Sequence, residues 1–575
     1  MNALLLLVIA IVLLALGYLL YGRWLCKQWG VGENTEETPA HTMEDGVDYV
    51  PAKTPVLMGH HFSSIAGAGP ITGPISALAY GFGWLPCALW IVVGGIFFGG
   101  VHDFGALFAS VRHGGKSIGE IISVNMSVRA KRLFLIFAWL TLTLVVAAFA
   151  SIVAGTFAAT VGEDGAIDTA ASASNATVAM VSLLFIVVAI LFGIFVYRRH
   201  APVAVSTIIG VIAICVCMAI GMNFHPIYLT NFQWMIVLAV YIAVASVTPV
   251  WILLQPRDYL SSFLLYAMMA VSLFAIIVAH PSLMNSEGVG LSVLGSNYSA
   301  PIFPVLFTTI ACGAISGFHS LVSSGTTSKQ LDKEKDALPI AYGGMLLECV
   351  LAIITICAVA YAYQIGITSG ATSIFAGGIA GMASTIAGGT DSALYSILYT
   401  LLILTYSAFC LTSLDTATRL SRFMFQEFWI DSTKGETREN VTGYKKVLSN
   451  TYVATAISVV CGIALGLTGY SKIWALFGSA NQLLAGLGLL AVATWLGNAG
   501  KNNKMFLFPM AFMIIVTICS LCYNTYNQVL TIMAGGADWG PWAQSIIGIL
   551  LIVLAVILAI EGIQTLAGQR KKKAA

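Results

Sequence analysis

Long apolar stretches alternate with short polar ones along nearly the whole chain of 575 residues. An α-helix crosses a hydrocarbon core of about 30 Å with about 20 apolar residues, and fifteen stretches approach that length. The pattern therefore predicts an all-α polytopic membrane protein with about fifteen transmembrane helices. The predicted spans are 3–21, 56–82, 87–110, 133–161, 178–197, 203–222, 234–254, 259–279, 302–327, 341–364, 391–413, 448–468, 473–497, 506–532 and 543–563.

Composition and charge agree with this class of protein. Hydrophobic residues make up 58% of the chain and charged residues 9%. When the spans are threaded in order, all of the 27 Lys and Arg residues except Lys472 fall on one side. Because insertion leaves Lys and Arg in cytoplasmic loops, we expect the bacterial cytoplasmic (inner) membrane, with the N-terminus outside and the C-terminus in the cytoplasm. The net charge of +2 gives no indication of nucleic-acid binding.

No polar stretch is long enough to form a soluble domain of its own, so residues 1–575 are predicted to form one integral membrane domain. Segment 366–390, rich in Gly, Ala, Ser and Thr, is left open between a re-entrant hairpin and an outer loop. The predicted parts of the domain are a first helix and cytoplasmic loop (1–55), a core region with two broken helices (56–414), a cytoplasmic loop (415–447) and C-terminal helices (448–575).

Two of the predicted spans carry residues that do not suit contact with lipid. Segments 59–74 and 313–327 hold His, Ser, Thr and repeated Gly in spans two and nine. Pro70 and Pro74 have no N–H group, so the carbonyls four residues earlier lose their helical partners. Unpaired backbone cannot face lipid, so these segments are predicted to unwind around a water-accessible cavity enclosed by protein.

The two segments share a faint register, Gly59-x-His61 followed by Gly67 and Gly317-x-His319 followed by Gly325. Because they lie seven spans apart, they are expected to cross the membrane in opposite directions. Interrupted helices at matching positions of two inverted halves are typical of the midplane site of a transporter.

The candidate substrate site lies in these segments. Imidazoles from both could bind a carboxylate or relay protons, and a half-helix beginning near Gly67 and Gly69 would direct N–H groups at an anion. The alternatives are histidines hydrogen-bonded between helices, small residues that only pack, and a zinc site of three histidines. The candidate substrate-binding residues are His60, His61, Ser63, Ser64, Gly67, Gly69, His319, Ser323, Ser324 and Thr326.

Glu348 and Asp103 are the candidates for ion coupling, because each is an acidic residue inside a predicted span. Desolvation disfavours the charged form of a buried carboxylate, so Glu348 is the first choice for carrying a proton. A static hydrogen bond between helices is the alternative. Asp415 and Arg419, four residues apart, predict an ion pair on the surface of one helix and, secondarily, a cytoplasmic gate.

Several strings place the chain beside a known family. They are GHHFSSIAGAGPITGP, HDFGALFASVRHGGKSIGE, ACGAISGFHSLVSSGT, MLLE, LTSLDTATRLSRF and LFGSANQLLAGL. In content and order they closely resemble the carbon starvation protein A (CstA) family from about residue 20 to past 490. The chain departs from the family's long members in being shorter and in having His102 where Gln is expected.

The resemblance implies a fold and an activity. The expected fold is an inverted-repeat core of the amino acid–polyamine–organocation type (LeuT-like), with broken helices and additional helices. A strict five-helix repeat would set the broken helices five spans apart, whereas here they are seven apart. Members of the family are linked to peptide uptake during carbon limitation, a stress response, and some import pyruvate with protons.

These observations predict a secondary active transporter that imports a peptide, pyruvate or an amino acid, coupled to protons or, alternatively, to sodium. No phosphate loop or nucleotide fingerprint is found, which argues against ATP-driven transport by this chain. We expect no enzymatic activity, no metal and no cofactor, with a small-molecule substrate and membrane lipid as partners. A homo-oligomer is left open. The alternatives are an intramembrane metal-dependent enzyme and a nutrient sensor without net transport.

Overall fold

The computed structural model describes all residues except 1, 34–36, 47, 163–164, 200, 285–287, 431–434, 438–439, 536–537 and 575. The described chain is almost entirely helical. In order, the first helices are α1 Ala3–Trp29, α2 Thr54–Ile65, α3 Gly69–Ala79, α4 Trp84–Arg112, α5 Ile118–Asn125, α6 Val128–Phe157, α7 Thr169–Val196, α8 Val203–Asn223, α9 Asn231–Val247 and α10 Leu254–Ala279.

The second half of the chain continues the same pattern. A two-residue antiparallel hairpin, β1 Thr160–Val161 and β2 Ile167–Asp168, precedes α7, and short helical turns lie at Pro39–Thr42 and Tyr444–Leu448. The remaining helices are α11 Ile302–Thr309, α12 Gly317–Gly325, α13 Glu334–Gln364, α14 Ala371–Ala387, α15 Ala393–Phe428, α16 Thr451–Gly466, α17 Tyr470–Asn498, α18 Lys504–Met533 and α19 Trp539–Gln569.

The multi-pass, all-α class is confirmed. Within the described residues, eleven helices are long and apolar enough to cross a membrane, and α9, α14 and α16 are shorter apolar helices. Each predicted span falls on one helix or on one pair of half-helices, so the hydrophobic pattern located every long element.

Both predicted interruptions are present. We call α2 with α3 the first broken helix and α11 with α12 the second. The first breaks at Ala66, whose backbone angles (φ −76°, ψ 46°) leave the helical region, just before Pro70 in the first turn of α3. Pro74 lies inside α3 and does not end it. The second breaks at Ala311, which has a left-handed backbone (φ 44°), a conformation that ends a helix for any residue with a side chain.

The two broken helices touch along their length and run in opposite directions. His61 Nδ1 of α2 lies 2.8 Å from Thr327 Oγ1, just beyond α12. Farther along, Gly73 of α3 lies against the backbone of Ile310, with no room for a side chain. Because residue numbers rise along one broken helix as they fall along the other, the crossing is antiparallel, as the register predicts.

The loops that carry most cations meet at one end of the bundle. Arg112 Nε lies 2.8 Å from Glu334 Oε2, and the same guanidinium donates to the Gly30 carbonyl at 3.2 Å. The Tyr49 hydroxyl donates to the Gly114 carbonyl at 3.2 Å. We call this end the basic face; the ends of α1, α4, α12 and α15 lie there. The other end, where Gln364 donates to the Ser282 carbonyl at 2.7 Å, is the opposite face.

The structure moves one predicted loop boundary and decides between the two interpretations of segment 366–390. Helix α15 continues without interruption from Ala393 to Phe428, so the loop predicted to begin at 415 begins after Phe428; parts of it lie outside the described residues. Helix α14 begins inside the bundle and runs parallel to α13 toward the opposite face, because Gly378 lies against Ala358 and Gly381 lies against Tyr361. Since α15 begins at the opposite face, segment 366–390 is re-entrant rather than an outer loop.

Candidate substrate and ion site

A buried cluster of three side chains lies where the broken helices cross. His319 is in the first turn of α12, Asp103 in α4 and Glu348 in α13, and none of the three side chains is exposed. Nδ1 of His319 lies 2.7 Å from Asp103 Oδ2, and Nε2 lies 3.3 Å from Glu348 Oε2. The imidazole therefore bridges the two acidic residues that the sequence singles out for ion coupling.

With Asp103 ionised, the hydrogen bonds of this cluster are satisfied by one set of proton positions. Asp103 Oδ2 lies 2.7 Å from His319 Nδ1, and Asp103 Oδ1 lies 2.7 Å from His102 Nδ1. An ionised carboxylate can only accept hydrogen bonds, so both imidazoles donate through Nδ1. Nε2 of His319 then carries a lone pair and faces Glu348. The two carboxyl oxygens of Glu348 have no hydrogen bond among the described residues. A protonated Glu348 can donate to Nε2, whereas an ionised one would face a lone pair without a donor.

His60 and His61 turn to different partners, as expected for adjacent helical residues about 100° apart. His61 meets Thr327, while His60 Nδ1 lies 3.0 Å from Asp258 Oδ2 at the start of α10. Ser64 donates to the same Asp258 oxygen at 3.1 Å, and Ser63 donates to the Asp258 carbonyl at 3.0 Å. The three histidines thus do not share one ligand position, which removes the three-histidine zinc site.

One face of α12 presents a row of polar side chains to the first broken helix. His319 and Ser323 are four residues apart, which stacks them on one side of α12, and Thr327 follows just beyond the end of the helix. Ser323 Oγ and His61 Nε2 are buried and have no hydrogen-bond partner among the described residues. They are the polar atoms beside the cluster that remain available to a ligand.

The other candidate residues have mainly structural contacts. Ser324 donates to the Ser320 carbonyl at 2.7 Å, and Thr326 donates to the Val322 carbonyl at 2.9 Å, which ties both hydroxyls to their own helix. A side chain at Gly67 would meet Phe149, and one at Gly69 would meet Cys312. These glycines permit close packing at the break, and their predicted role toward an anion stays a prediction.

Asn481 and Gln482 of α17 stabilise the break in the second broken helix. Asn481 Oδ1 accepts the Phe318 N–H at 2.8 Å and so caps α12, while Asn481 Nδ2 donates to Ser316 Oγ at 3.0 Å. Gln482 Nε2 donates to the Ile315 carbonyl at 3.2 Å. From the sequence, a polar pair inside a span could contact the substrate or an ion, or join helices; these contacts join helices, and the N-terminus of α12 is capped by the amide oxygen of Asn481.

The predicted surface pair of Asp415 and Arg419 is wrong. Both residues are buried because α15 continues inside the bundle, and each meets α9 or α10. Asp415 pairs with Arg257 and accepts the Tyr241 hydroxyl at 2.7 Å. Arg419 donates to the Ala245 carbonyl at 3.0 Å. A role for Asp415 and Arg419 in gating stays a prediction.

Arg257 and Asp258 form a second charged cluster that the sequence did not indicate. Arg257 counts as a loop cation in the predicted topology, but its side chain is only 1% exposed and donates to Asp258 Oδ1 at 2.9 Å. Through Asp258 the cluster reaches His60 and Ser64, and through Asp415 it reaches α15. The adjacent charges of Arg257 and Asp258 at the start of a span could have indicated a buried cluster. Their partners could not be predicted, because they lie in helices distant in the sequence.

Cys312, in the second break, is a further neighbour that sequence reasoning missed. Its Sγ, a ring nitrogen of His319 and a Glu348 oxygen all lie within 4.8 Å of one another. By distance alone this set could also accommodate a transition-metal ion. The expectation of no metal is not tested by this geometry and stays a prediction.

A pocket with many polar lining residues lies at each end of the bundle. A pocket of about 610 Å³ at the opposite face is lined by Tyr80, Lys472 and Asn524 among others. A second pocket, of about 310 Å³, lies at the basic face and contains Ser324 and Lys329.

Tyr49, in the wall of the basic-face pocket, keeps its hydroxyl proton. Burial, followed by the nearby Asp48 and Asp45, raises the pKa of Tyr49 to about 12. The hydroxyl therefore stays neutral and donates to backbone carbonyls near the pocket mouth.

The model of the carbon starvation protein CstA family matches residues 2–367 and 361–520 of this sequence. The chain belongs to the CstA family. The resemblance in the sequence strings is thereby confirmed, and it covers both broken helices, α4, α13 and α15.

Curated relatives agree with this assignment. The peptide transporter CstA of Campylobacter jejuni is 33% identical over 589 residues, covering 90% of this chain and 79% of the relative. The peptide transporter CstA of Bacillus subtilis is 31% identical, covering 90% and 89%. The pyruvate/proton symporter BtsT of Escherichia coli is 34% identical over 366 residues, covering 62% of this chain and 49% of the relative.

Solved structures offer more distant likenesses. The Eremococcus coleocola manganese transporter, in complex with an aromatic bis-isothiourea compound, has a TM-score of 0.49 at 13% identity, covering 92% of this chain and 99% of that one. MhsT in complex with L-phenylalanine has a TM-score of 0.46 at 13% identity, covering 89% and 99%.

Proposed function

We propose that this chain is a secondary active transporter that imports a small carboxylate-bearing nutrient, such as a peptide, pyruvate or an amino acid, together with protons. Relatives named as a peptide transporter and as a pyruvate/proton symporter support this substrate class. The observation that carries the proposal is the contact between His319 Nε2 and Glu348 Oε2, at 3.3 Å, where two broken helices cross.

Glu348 is the proton carrier in this proposal. Its protonated form donates to His319, whose ring Asp103 holds in the donating Nδ1 tautomer. Its ionised form lacks a donor in the closed site and is stabilised only when water enters. Proton binding therefore favours the occluded state, and opening toward water on the far side releases the proton.

The substrate carboxylate is proposed to bind beside this carrier, at His61 and Ser323. The Thr327 hydroxyl can donate to His61 Nδ1 at 2.8 Å, which leaves His61 Nε2–H free to donate. Ser323 offers a second donor from the face of α12 that carries His319. Two donors in a site that excludes water suit a carboxylate, the group shared by the three substrate classes.

The two polar pockets support alternating access around this site. One reaches the bundle from each face, and the pairing of Arg257 with Asp258 and Asp415 joins α10 to α15 beside the first broken helix. We propose that the basic face is cytoplasmic, because Lys and Arg are retained on that side. The N-terminus is then outside and the C-terminus inside a bacterial cytoplasmic membrane, and no resident cofactor is required.

Uptake into proteoliposomes tests the proposal. Purified full-length protein is reconstituted, and accumulation of labelled pyruvate, dipeptides and amino acids is measured with and without an imposed pH gradient. We expect accumulation of at least one class that requires the inward proton gradient and does not change when sodium is replaced by potassium. Absence of uptake for all three classes by folded protein would overturn the assignment, and dependence on sodium would replace the proton as coupling ion. Metal analysis of the same preparation tests the competing metal-dependent enzyme.

A further inference from the structure

A row of hydroxyl groups lies between the opposite-face pocket and the second broken helix. Asn524 of α18, in the pocket wall, donates to Ser479 Oγ of α17 at 2.9 Å. Ser479 Oγ lies 2.8 Å from Ser520 Oγ, which lies 2.9 Å from Thr308 Oγ1 of α11. The row therefore joins three helices and ends in the last turn before the break.

These side chains are buried among apolar helices. Thr308, Ser479 and Ser520 are 3%, 0% and 1% exposed. Polar groups inside a membrane protein carry a cost and commonly mark ion or substrate pathways. A hydroxyl both donates and accepts, so the two hydroxyl–hydroxyl contacts in the row can each reverse direction. A row with this property can relay protons, which a row with a fixed direction cannot do repeatedly.

A second polar group continues toward the histidine–carboxylate cluster. Asn481 Nδ2 donates to Ser316 Oγ at 3.0 Å, and Ser316 Oγ lies 3.3 Å from Cys312 Sγ. Cys312 Sγ lies within 4.8 Å of the facing atoms of His319 and Glu348. Thr308 ends the first polar group and Cys312 begins the second. The chain between these two residues, at the end of α11, connects the groups, and both groups contact α17.

We propose that protons reach Glu348 from the opposite-face pocket along this row, through Ser479, Ser520 and Thr308 and then past Ser316 and Cys312. Asn524 and Asn481 orient the hydroxyls at the two ends of the route with amide N–H groups, which donate hydrogen bonds and do not accept the proton. The turn between Thr308 and Cys312 is the point at which movement of the second broken helix completes or interrupts the route. This inference rests on the proposed proton coupling. In this route Ser479, Ser520 and Thr308 pass the proton from one hydroxyl to the next, and none of them contacts the substrate.

Transport kinetics test the route. In proteoliposomes, S520A should slow proton-driven uptake about tenfold, the change expected for removal of one hydrogen bond from the transfer barrier. Counterflow exchange of substrate, which needs no net proton movement, should stay unchanged, and the solvent deuterium isotope effect on uptake should rise. S520T restores a hydroxyl and should restore the rate.

Ser272 of α10 provides the matched control, because it is also a fully buried serine and donates to a carbonyl of its own helix at 2.7 Å. S272A should leave both uptake modes unchanged. Equal loss of uptake and counterflow in S520A, or an unchanged uptake rate, would show that Ser520 only packs and would overturn the route.

Thiol labelling separates this inference from the proposed function. N524C, in a chain whose exposed Cys215, Cys519 and Cys522 are replaced by Ser, should react with a membrane-impermeant maleimide added to the opposite face, because Asn524 is in the pocket wall. The bound reagent should slow proton-driven uptake and leave counterflow unchanged. Absence of uptake of every tested substrate by the unlabelled protein would refute the proposed function, whereas unchanged proton-driven uptake after labelling would refute the route alone.

Discussion

His319 Nδ1 and Asp103 Oδ2 lie 2.7 Å apart in the interior of the bundle, although 216 positions separate the two residues in the sequence. With Asp103 ionised, this contact places the His319 proton on Nδ1, and Nε2 faces Glu348. The same carboxylate also lies 2.7 Å from His102 Nδ1. Asp103 therefore holds both imidazoles, and in the proposed mechanism Glu348 exchanges the proton.

Replacing Asp103 by Asn should impair coupling by releasing the imidazole. The amide can donate as well as accept, so it no longer dictates the His319 tautomer. We expect D103N to reduce proton-driven uptake at least about tenfold, in line with the loss of one charge-assisted hydrogen bond. E436Q, at the ion pair with Lys445 in the loop after α15, is the control and should transport normally. Wild-type uptake in D103N would contradict the orienting role.

Replacing Glu348 by Gln should separate exchange from accumulation. The amide has nearly the shape of the carboxylic acid but cannot release a proton, so we expect E348Q to lose accumulation driven by a pH gradient and to retain counterflow. Both modes are measured with the same labelled substrate. Glu561 of α19 accepts a hydrogen bond from Ser127. E561Q is the control and should retain both accumulation and counterflow. Gradient-driven accumulation by E348Q would remove Glu348 from proton transport.

A methyl group at Gly73 should destabilise the crossing of the broken helices. An added Cβ would overlap the backbone of Ile310, which cannot move aside as a side chain can. Overpacking of this kind costs about 1–3 kcal/mol, so G73A should lower the thermal unfolding temperature of the purified protein. At Gly155 of α6 an added Cβ meets no atom within 4 Å, and G155A should unfold no earlier than the wild type. Equal stability of G73A and G155A would show that the close contact is not maintained.

The Arg257–Asp415 pair should contribute strongly to stability because both side chains are buried. Removing one partner of a buried pair leaves an uncompensated charge and costs about 3–5 kcal/mol, so D415N should be far less stable than D538N, where the exposed ion pair with Lys472 contributes less than about 1 kcal/mol. Chemical unfolding in detergent measures the difference. The double variant R257Q/D415N should lose less than the sum of the single losses; a strictly additive result would mean that the residues do not interact.

Labelling at the basic face should establish the orientation of the chain. Ser117 is partly exposed and lines the pocket at that face, so S117C, in the chain with Cys26, Cys215, Cys519 and Cys522 replaced by Ser, should react with impermeant maleimide in inside-out vesicles. If the basic face is cytoplasmic, intact cells should show no labelling, and substrate that locks the site should reduce labelling in the vesicles. Labelling in intact cells alone would place the termini on the sides opposite to those proposed.

Much of the fold could be predicted because apolar length is a local property. Every long helix follows from a run of apolar residues, and the first break follows from Gly and Pro in segment 59–74. The second break lies at Ala311, just before the Gly-containing segment 313–327 that predicts it. The end of α15 could not be found in this way, because polar residues such as Asp415 resemble a loop unless their distant partners are known. The same limitation counted Arg257 as a loop cation.

The main residues of the candidate site could be predicted from the sequence, but their contacts could not. His319, Glu348 and Asp103 are conspicuous because an ionisable side chain within a span is costly and needs a partner. Their pairing, the separate destinations of His60 and His61, and the involvement of Asp258 and Cys312 depend on which helices become neighbours. No spacing in the sequence encodes those neighbours, since the partners are contributed by different spans.

The sequence by itself determined that this chain is a multi-pass helical membrane protein, that two helices are broken, and which family it belongs to, because hydrophobic length, missing backbone donors and the order of motifs can be read residue by residue. The tertiary structure alone decided that His319 joins Asp103 to Glu348 and that Arg257 meets Asp415. Those contacts arise from the antiparallel crossing of the broken helices and from helix packing, which bring together side chains far apart in the chain.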